Sequence, residues 1–283
     1  NDEAAMIPIH NSYSISEVIA ADIEAGINKF LLFPVPAQKK ESGFDYGFIS
    51  NVIAKLKQQF GDSIWIAADV CLCGYTSHGH CGILNTTQNQ VCNHETVQEL
   101  VKYSLLLAEA GADCMAPSDM MDGRIAAIRK GLDGAGFDVV SIMSYSSKFA
   151  SQWYGPFRDI CKSAPTTNGL RNRKTYQHSP FQPAAAIEAS LRDEKEGADI
   201  LMVKPSMMYA DIIYQLKQLS RKPIAAYQVS GEYAAIEMMA ENNLLNREAA
   251  HMEAWAALQR SGADIIISYA ARHAKQWIEQ YEY

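Results

Sequence analysis

The sequence contains no apolar run that approaches the ~20 residues of a membrane-spanning helix. Its first residues, Asn-Asp-Glu-Ala-Ala, lack the basic and then apolar layout of a secretory signal. Basic side chains are scattered, and 25 Lys and Arg against 32 Asp and Glu give a formal net charge of −7. These absences predict a cytoplasmic protein that binds neither membranes nor nucleic acid. The six cysteines are then expected to be reduced.

One local pattern recurs along the 283 residues, which are 48% hydrophobic and 20% charged. A helical segment ends in glycine and an apolar run follows at once, as seen at Gly26, Gly111, Gly197 and Gly262. Glycine just past a helix end takes the left-handed cap, and a short apolar run after it predicts a parallel strand buried on both faces. The composition and length predict a single catalytic domain over residues 1–283.

Counting such runs predicts seven strands, at residues 30–35, 64–70, 113–117, 139–144, 200–203, 224–229 and 265–268. Predicted helices lie between them, at residues 16–25, 48–60, 96–110, 184–196, 209–219 and 249–260. This alternation is typical of a (β/α)8 TIM barrel or of a doubly wound sheet. The only candidate for an eighth strand is the proline-interrupted stretch 5–9. The first strand of the barrel is therefore expected to be missing or atypical.

Polar or reactive side chains follow six consecutive strands: Asp69 and Cys71, Ser118 and Asp119, Lys148, Lys204, Ser230, and Tyr269. In a barrel all of these strand ends meet on one face, which is where barrel active sites lie. In an open sheet they would be strung along an edge. The convergence favours an α/β TIM barrel and predicts the position of its site.

Three cysteines, Cys71, Cys73 and Cys81, fall in one loop that also contains Gly, Ser and His. Three protein ligands leave one of the four positions on Zn²⁺ free for water or substrate, which is the count of a catalytic site. The alternative is a set of buried thiols that pack as small hydrophobic groups. The spacing favours metal binding, and we expect Cys92, Cys114 and Cys161 to take no part.

Lys148 and Lys204 each end a strongly apolar strand, where lysine is uncommon unless it is paired. One interpretation is a rim lysine held by an acid such as Asp69 or Asp119. The other is a pair of lysines on neighbouring strands, each of which lowers the pKa of the other while burial adds to the effect. A lysine that is partly neutral near pH 7 can attack a carbonyl and form a Schiff base.

The long connection after Lys148 is rich in Gly, Pro, Ser, Thr and Asn, and we expect a lid over residues 149–180. It carries Tyr154, Arg158 and Arg173. Arginines on such a loop could clamp a carboxylate through paired hydrogen bonds. A solvated basic loop is the alternative.

Six longer segments form a specific pattern: DVCLCGYTSHGHCG at 69–82, APSDMMDGR at 116–124, MSYSSKFAS at 143–151, YGPFRD at 154–159, MVKP at 202–205 and YQVSGE at 227–232. Together they resemble the porphobilinogen synthase (5-aminolevulinate dehydratase) family. The resemblance runs in order from about residue 14 to the C-terminus. It implies a barrel enzyme of tetrapyrrole and heme biosynthesis that condenses two 5-aminolevulinate molecules into porphobilinogen with loss of two waters.

The resemblance also implies a role for each matching residue. Lys204 matches the lysine that forms a Schiff base with the first (P-side) substrate, and Lys148 matches the lysine that engages the second (A-side) one. Cys71, Cys73 and Cys81 match the ligands of the zinc-dependent branch. The substrate-binding residues are then Asp69 and Ser118 (A-side polar contacts), Tyr154, Arg158, Arg173 and Gln177 (lid groups), and Ser230 and Tyr269 (P-side carboxylate).

Two departures from the family pattern stand out. Gly74 replaces a common proline, which is expected to loosen the zinc loop, and the sequence begins after the family's N-terminal arm and first strand. Without the arm we expect a homo-oligomer, and we favour a dimer over an octamer. A non-catalytic metal-binding relative and a lyase acting on another amino ketone are the alternatives. The complete set of ligands and lysines favours the working enzyme over both.

Overall fold

The computed structural model describes residues 9–167 and 169–280. Within this part of the chain, seven parallel strands pair in sequence order, β1 to β7, with helices between them. The strands are β1 Lys29–Leu32, β2 Trp65–Val70, β3 Cys114–Pro117, β4 Ser141–Lys148, β5 Ile200–Lys204, β6 Ile224–Tyr227 and β7 Ile265–Ile267. The helices are α1 Ile15–Glu24, α2 Gly47–Phe60, α3 Asn93–Glu109, α4 Arg124–Gly134, α5 Gly155–Ile160, α6 Pro183–Lys195, α7 Ala210–Leu219, α8 Ser230–Glu241, α9 Arg247–Arg260 and α10 Ala274–Gln280.

The sheet curls towards closure, as the predicted TIM barrel requires. Within the described residues, β1 pairs only with β2 and β7 pairs only with β6. Side chains from both of these edges, among them Leu31 and Ile265, nevertheless line the same apolar cavity of about 700 Å³. The predicted short strand at 5–9 lies outside the described residues except for Ile9, which is exposed.

The main difference from the predicted elements concerns β4. The strand was predicted at 139–144, but Val139 is exposed and the strand runs from Ser141 to Lys148. Helices α4 and α8 were also not predicted. Each contains glycine, which lowers intrinsic helix propensity, so tertiary packing decides the outcome. In α4 that packing comes from the buried Ile125, Ile128 and Leu132.

Alternate residues along the strands pack into two separate layers. Inward-facing side chains such as Ala67, Met143 and Met202 form a small core inside the barrel. Outward-facing ones such as Ile66 and Ile142 join the larger core beneath the helices. Because both faces of the sheet are covered, most of its strands are largely apolar, which is why they are recognisable in the sequence; β4, with four serines, is the exception.

A Gly-Ala-Asp sequence fixes the strands at the end of the barrel opposite the site. Asp113, Asp199 and Asp264 each accept a backbone N–H from the preceding strand at 2.7–2.9 Å. Asp113 and Asp264 also bind a lysine from the neighbouring helix, Lys57 and Lys217 respectively. At three of the four glycine-marked helix ends noted in the sequence, the aspartate two residues after the glycine therefore helps to hold strand register. No helix in the described ranges combines the length and the apolar character needed to cross a bilayer.

Candidate active site

A bulge in β4 turns Lys148 into the barrel. Met143 and Ser144 pair with Ile200 and Leu201, but Ser147 and Lys148 pair with Val203 and Lys204. One extra residue therefore lies on β4, and it reverses which side chains face inward. Ser147 points outward, where its hydroxyl meets α6 at the Ala186 carbonyl. Lys148 is thereby brought in line with Lys204.

The two lysines form a buried pair at the carboxyl ends of β4 and β5. Lys148 is 5% exposed and Lys204 is 6% exposed. Their Nζ atoms lie 5.5 Å and 5.0 Å from the centroid of the Tyr145 ring. Lys148 Nζ also donates to the backbone carbonyl of Ser118. Two amines are thus held close together in a space that excludes water.

Aromatic rings enclose the Lys204 amine. The nearest is Tyr227, whose ring centroid lies 3.9 Å from Nζ, and four further rings lie within 5.8 Å: Phe33, Tyr145, Tyr154 and Phe157. Burial, aided by the neighbouring Lys148 ammonium and opposed by Asp69, lowers the pKa of Lys204 to about 7. This shift favours the neutral, nucleophilic amine near neutral pH.

Asp69 is the carboxylate beside the lysines. Burial raises its pKa to about 6, although the Lys148 ammonium and the Ser118 hydroxyl favour the charged form. Its Oδ1 atom is buried and has no hydrogen-bond partner within the described residues. Asp119, which the sequence offered as another partner for a lysine, instead accepts from the Met121 N–H and lies 3.7 Å from Arg124. It therefore belongs to the packing beneath the site.

The three thiols predicted to bind metal lie together. Their sulfur atoms are all within 4.8 Å of one another, and Cys71 Sγ is 3.3 Å from Cys73 Sγ. Zn–S bonds of ~2.3 Å in tetrahedral geometry separate two sulfurs by about 3.8 Å, so the cluster fits such an ion. Hydrogen bonds from Cys71 and Cys73 hold the pKa of Cys81 well below its usual value, and the Arg173 guanidinium adds to this. No other group of three His, Cys, Asp or Glu side chains in the described ranges is close enough to bind an ion.

Gly74 allows the thiol loop to pack closely on the connection after β1. A Cβ atom at this position would lie 2.6 Å from the Pro34 carbonyl oxygen. No side chain fits there without movement of the backbone. Gly74, which departs from the family pattern, therefore permits the close approach of the thiol loop to Pro34.

The lid residues cover the thiol loop. Both ring nitrogens of His80 form hydrogen bonds to lid residues. Nδ1 lies 2.9 Å from the Tyr176 hydroxyl, and Nε2 lies 2.7 Å from the Leu170 carbonyl oxygen. These contacts leave no nitrogen of His80 free for a metal. Arg173 Nη2 donates to the Gly79 and Ser163 carbonyls at 2.8 Å and 2.7 Å. The lid contains a short helix, α5, which the sequence did not reveal.

Two of the predicted lid residues, Tyr154 and Arg158, lie side by side, and the Tyr154 ring is one of those that enclose Lys204. The Tyr154 hydroxyl donates to the backbone carbonyls of Phe149 and Lys204 at 2.8 Å and 3.0 Å. Arg158 lies with its guanidinium 5.3 Å from the Tyr154 ring centroid and donates to the Ser151 carbonyl. Its Nε atom is buried and has no partner among the described residues. This arginine therefore keeps donor capacity for a ligand.

The remaining predicted residues, Ser230, Tyr269 and Gln177, contact different parts of the site. Ser230 begins α8, and its Oγ accepts from the Phe157 N–H at 3.1 Å. The Tyr269 hydroxyl is 3.3 Å from the hydroxyl of Tyr227, the ring closest to Lys204. Gln177 is buried, but it lines a polar cavity of about 820 Å³ at the barrel rim, and neither Lys148 nor Lys204 lines that cavity.

Sequence reasoning missed the aromatic enclosure and the bulge. The rings Phe33, Tyr145, Phe157 and Tyr227 lie near the ends of four different elements, so no single motif contains them. One available signal was the alternation along β4, where Met143 and Tyr145 share the inward face. The bulge has no comparable signal, because Ser146 and Ser147 suit either face.

A barrel whose strand ends converge on a buried lysine pair and a thiol cluster is typical of a metal-dependent enzyme that acts on carbonyl compounds. Comparison with known proteins identifies one family within this class of enzymes. A family model described as Delta-aminolevulinic acid dehydratase matches residues 3–277. The chain belongs to the delta-aminolevulinic acid dehydratase family, and its thiol cluster suits a metal-dependent enzyme.

Named relatives agree over most of their length. The Helicobacter pylori delta-aminolevulinic acid dehydratase is 43% identical over 259 residues, which are 90% of this chain and 78% of the relative. The Bacillus subtilis protein of the same name is 37% identical over 270 residues, 94% of this chain and 82% of the relative. The crystal structure of delta-aminolevulinic acid dehydratase (porphobilinogen synthase) from Toxoplasma gondii, in complex with the reaction product porphobilinogen, superposes with a TM-score of 0.89 at 35% identity, covering 96% of this chain and 80% of that one.

Proposed function

We propose that the chain condenses two molecules of 5-aminolevulinate into porphobilinogen in tetrapyrrole biosynthesis. The observation that carries this proposal is the register-matched pair of buried lysines, Lys148 and Lys204, at the mouth of the barrel. The named relatives and the Toxoplasma gondii structure support the same reaction.

Lys204 is the proposed nucleophile towards the first substrate. Its neutral amine attacks the C4 ketone, and loss of one water gives an imine whose protonated form draws electrons and acidifies the adjacent carbon. Lys148 forms the corresponding imine with the second substrate and releases the second water. Carbon–carbon and carbon–nitrogen bond formation then displaces both lysines as free amines, and proton removal completes the pyrrole. The lowered pKa of Lys204 supports its acting first.

Asp69 is proposed to move protons between these steps. A carboxyl group with a pKa of about 6 exchanges protons readily near neutral pH, which suits general acid–base catalysis. Its unpartnered Oδ1 atom can reach a substrate group that is not yet in place. The Ser118 hydroxyl positions the carboxylate, and the Ser118 carbonyl positions Lys148.

Cys71, Cys73 and Cys81 are proposed to hold one Zn²⁺ as thiolates. Soft thiolate ligands favour zinc over magnesium or calcium, and three of them leave a position open for substrate. When bound, the ion supplies a Lewis acid that can polarise the second substrate or acidify its amine. Arg173, next to the cluster, offsets part of the negative charge of the three sulfurs.

The two substrate carboxylates need separate partners. Arg158, Arg173 and Gln177 are proposed to hold the carboxylate of the second substrate, and Ser230 and Tyr269 that of the first. The unpartnered Nε atoms of Arg158 and Arg173 and the free amide of Gln177 support this assignment. Arg173 must give up its backbone acceptors, or add to them, when substrate arrives.

The chain is further proposed to form a homo-oligomer in solution. Within the described residues, the outer edges of β1 and β7 have no strand partner. Such edges and the 700 Å³ apolar cavity between them would be costly to leave in water, and proteins cover them. Light scattering on the purified chain gives the assembly size. A monomer at micromolar concentration would contradict this proposal.

The reaction itself is tested by adding 5-aminolevulinate and measuring pyrrole formation, with and without zinc. Borohydride added with substrate should trap an adduct whose mass maps to the peptide containing Lys204. Lys204→Met should abolish both the adduct and turnover. Adducts confined to exposed lysines such as Lys40, or an active Lys204→Met enzyme, would refute the assignment.

A further inference from the structure

The thiol loop, residues 71–81, and the first part of the lid, residues 155–167, are held together by more than the predicted site residues. The backbone of Gly79 approaches the lid so closely that a Cβ atom there would lie 2.6 Å from the Ala164 carbonyl oxygen. The Thr166 N–H donates to the His78 carbonyl, and Arg173 bridges Gly79 and Ser163. A displacement of the thiol-loop backbone would therefore also displace the lid segment that packs against it.

Lys39 provides a link of a different kind, because it lies on neither segment. It belongs to the connection between β1 and α2, and its ammonium is partly buried. Its Nζ atom is 3.4 Å from the Cys73 carbonyl oxygen, 2.7 Å from that of Cys161 and 2.9 Å from that of Lys162. One cation thus holds the backbone of a thiol ligand and the end of α5 together.

We propose that Lys39 is a positioning residue that couples metal binding at the thiol loop to closure of the lid. The inference rests on the zinc site proposed above. An ion bound by Cys73 fixes the backbone of that residue, and hence the carbonyl that Lys39 contacts. The Lys39 ammonium can contact the carbonyl oxygens of Cys73, Cys161 and Lys162 at the same time only when the lid is closed over the thiol loop. Binding at one segment must then favour order in the other, and the coupling must be reciprocal.

A neighbouring lysine shows that this arrangement is specific to position 39. Lys40 is exposed, and in the described residues its side chain makes no hydrogen bond or ion pair, although its backbone bonds to Tyr75 and Ser77. Lys40→Met therefore changes charge and side-chain volume in the same connection without touching the proposed link. It is the matched control for Lys39→Met.

The test is amide hydrogen exchange of the full chain, with and without one equivalent of Zn²⁺, read over residues 155–167. In the wild-type protein and in Lys40→Met, zinc should slow exchange of this segment by about ten-fold, a usual size for coupling between two sites. In Lys39→Met the same zinc should slow it less than about two-fold, because zinc still binds but no longer reaches the lid. Zinc content and binding are measured on the same samples.

Two outcomes distinguish this inference from the zinc proposal. If the wild-type protein binds no zinc, the proposed metal site fails. If Lys39→Met binds zinc and its lid segment is protected as strongly as in the wild type, the coupling role of Lys39 is refuted while the metal site stands. Lys39→Gln, whose shorter neutral side chain cannot span all three carbonyls, gives the same comparison if the methionine variant is unstable.

Discussion

The charge of Lys148 should control the reactivity of Lys204, and this can be measured separately from turnover. Lys148→Met removes the positive charge but keeps an unbranched apolar side chain that continues to exclude water. Lys148→Arg keeps the charge. Because the proposed first Schiff base involves Lys204 alone, its formation should be observable in both variants even when neither produces porphobilinogen.

The size of the effect follows from the geometry. The two Nζ atoms lie 5.5 Å and 5.0 Å from the same Tyr145 ring centroid, so they are at most about 10.5 Å apart. At an effective dielectric constant of about 20, two like charges at this distance repel by at least about 1.6 kcal/mol, which is slightly more than one pH unit. The pKa of Lys204, about 7 in the wild type, should therefore rise to about 8 in Lys148→Met. The neutral fraction at pH 7 falls about eight-fold.

The assay is the rate of borohydride trapping of 5-aminolevulinate on the Lys204 peptide, measured from pH 5.5 to 9.5. The midpoint should lie near pH 7 in the wild-type protein and in Lys148→Arg, and about one unit higher in Lys148→Met. Equal midpoints in the methionine and arginine variants would show that burial alone sets the pKa. A wild-type midpoint above pH 9 would mean that Lys204 is not enclosed as described.

Three further predictions concern the metal, the lid and the fold. Cys81→Ser should reduce bound zinc from one ion per chain to almost none in metal analysis, whereas Cys114→Ser should not; equal losses would remove the thiol cluster as the site. Arg158→Ala should raise KM about ten-fold, since a charge-assisted hydrogen bond contributes roughly 1.5–3 kcal/mol, and unchanged kinetics would exclude a clamp through this residue. Gly262→Ala should lower the free energy of unfolding in urea by about 1–2 kcal/mol without changing KM, because φ is +110° and the new Cβ would lie 2.7 Å from Lys217 Cγ. A variant as stable as the wild type would show that the backbone relaxes there at no cost.

The barrel could be predicted from the sequence because its strands are buried on both faces. Every predicted strand has a counterpart in the structure, and the glycine-marked helix ends were reliable because the left-handed cap requires glycine. The two missed helices share one cause. Helix α4 contains Gly131 and Gly134 and α8 contains Gly231, and each is stabilised by burying side chains such as Ile125 and Ile236 against other elements of the fold. Local propensity contains no information about such contacts.

The sequence was enough to predict that the strand-end residues lie on one face, but it could not predict their electrostatics. Strand-end positions identified Lys148, Lys204 and Asp69 because all parallel strand ends reach the same face. Whether a lysine there is charged depends on the rings that enclose it and on the second amine. The second amine faces inward only because β4 has gained one residue relative to β5. Removing that residue would return Lys148 to the helix-facing side, so the pKa of Lys204 depends on a bulge that lies between Ser144 and Ser147, just before Lys148 in the chain.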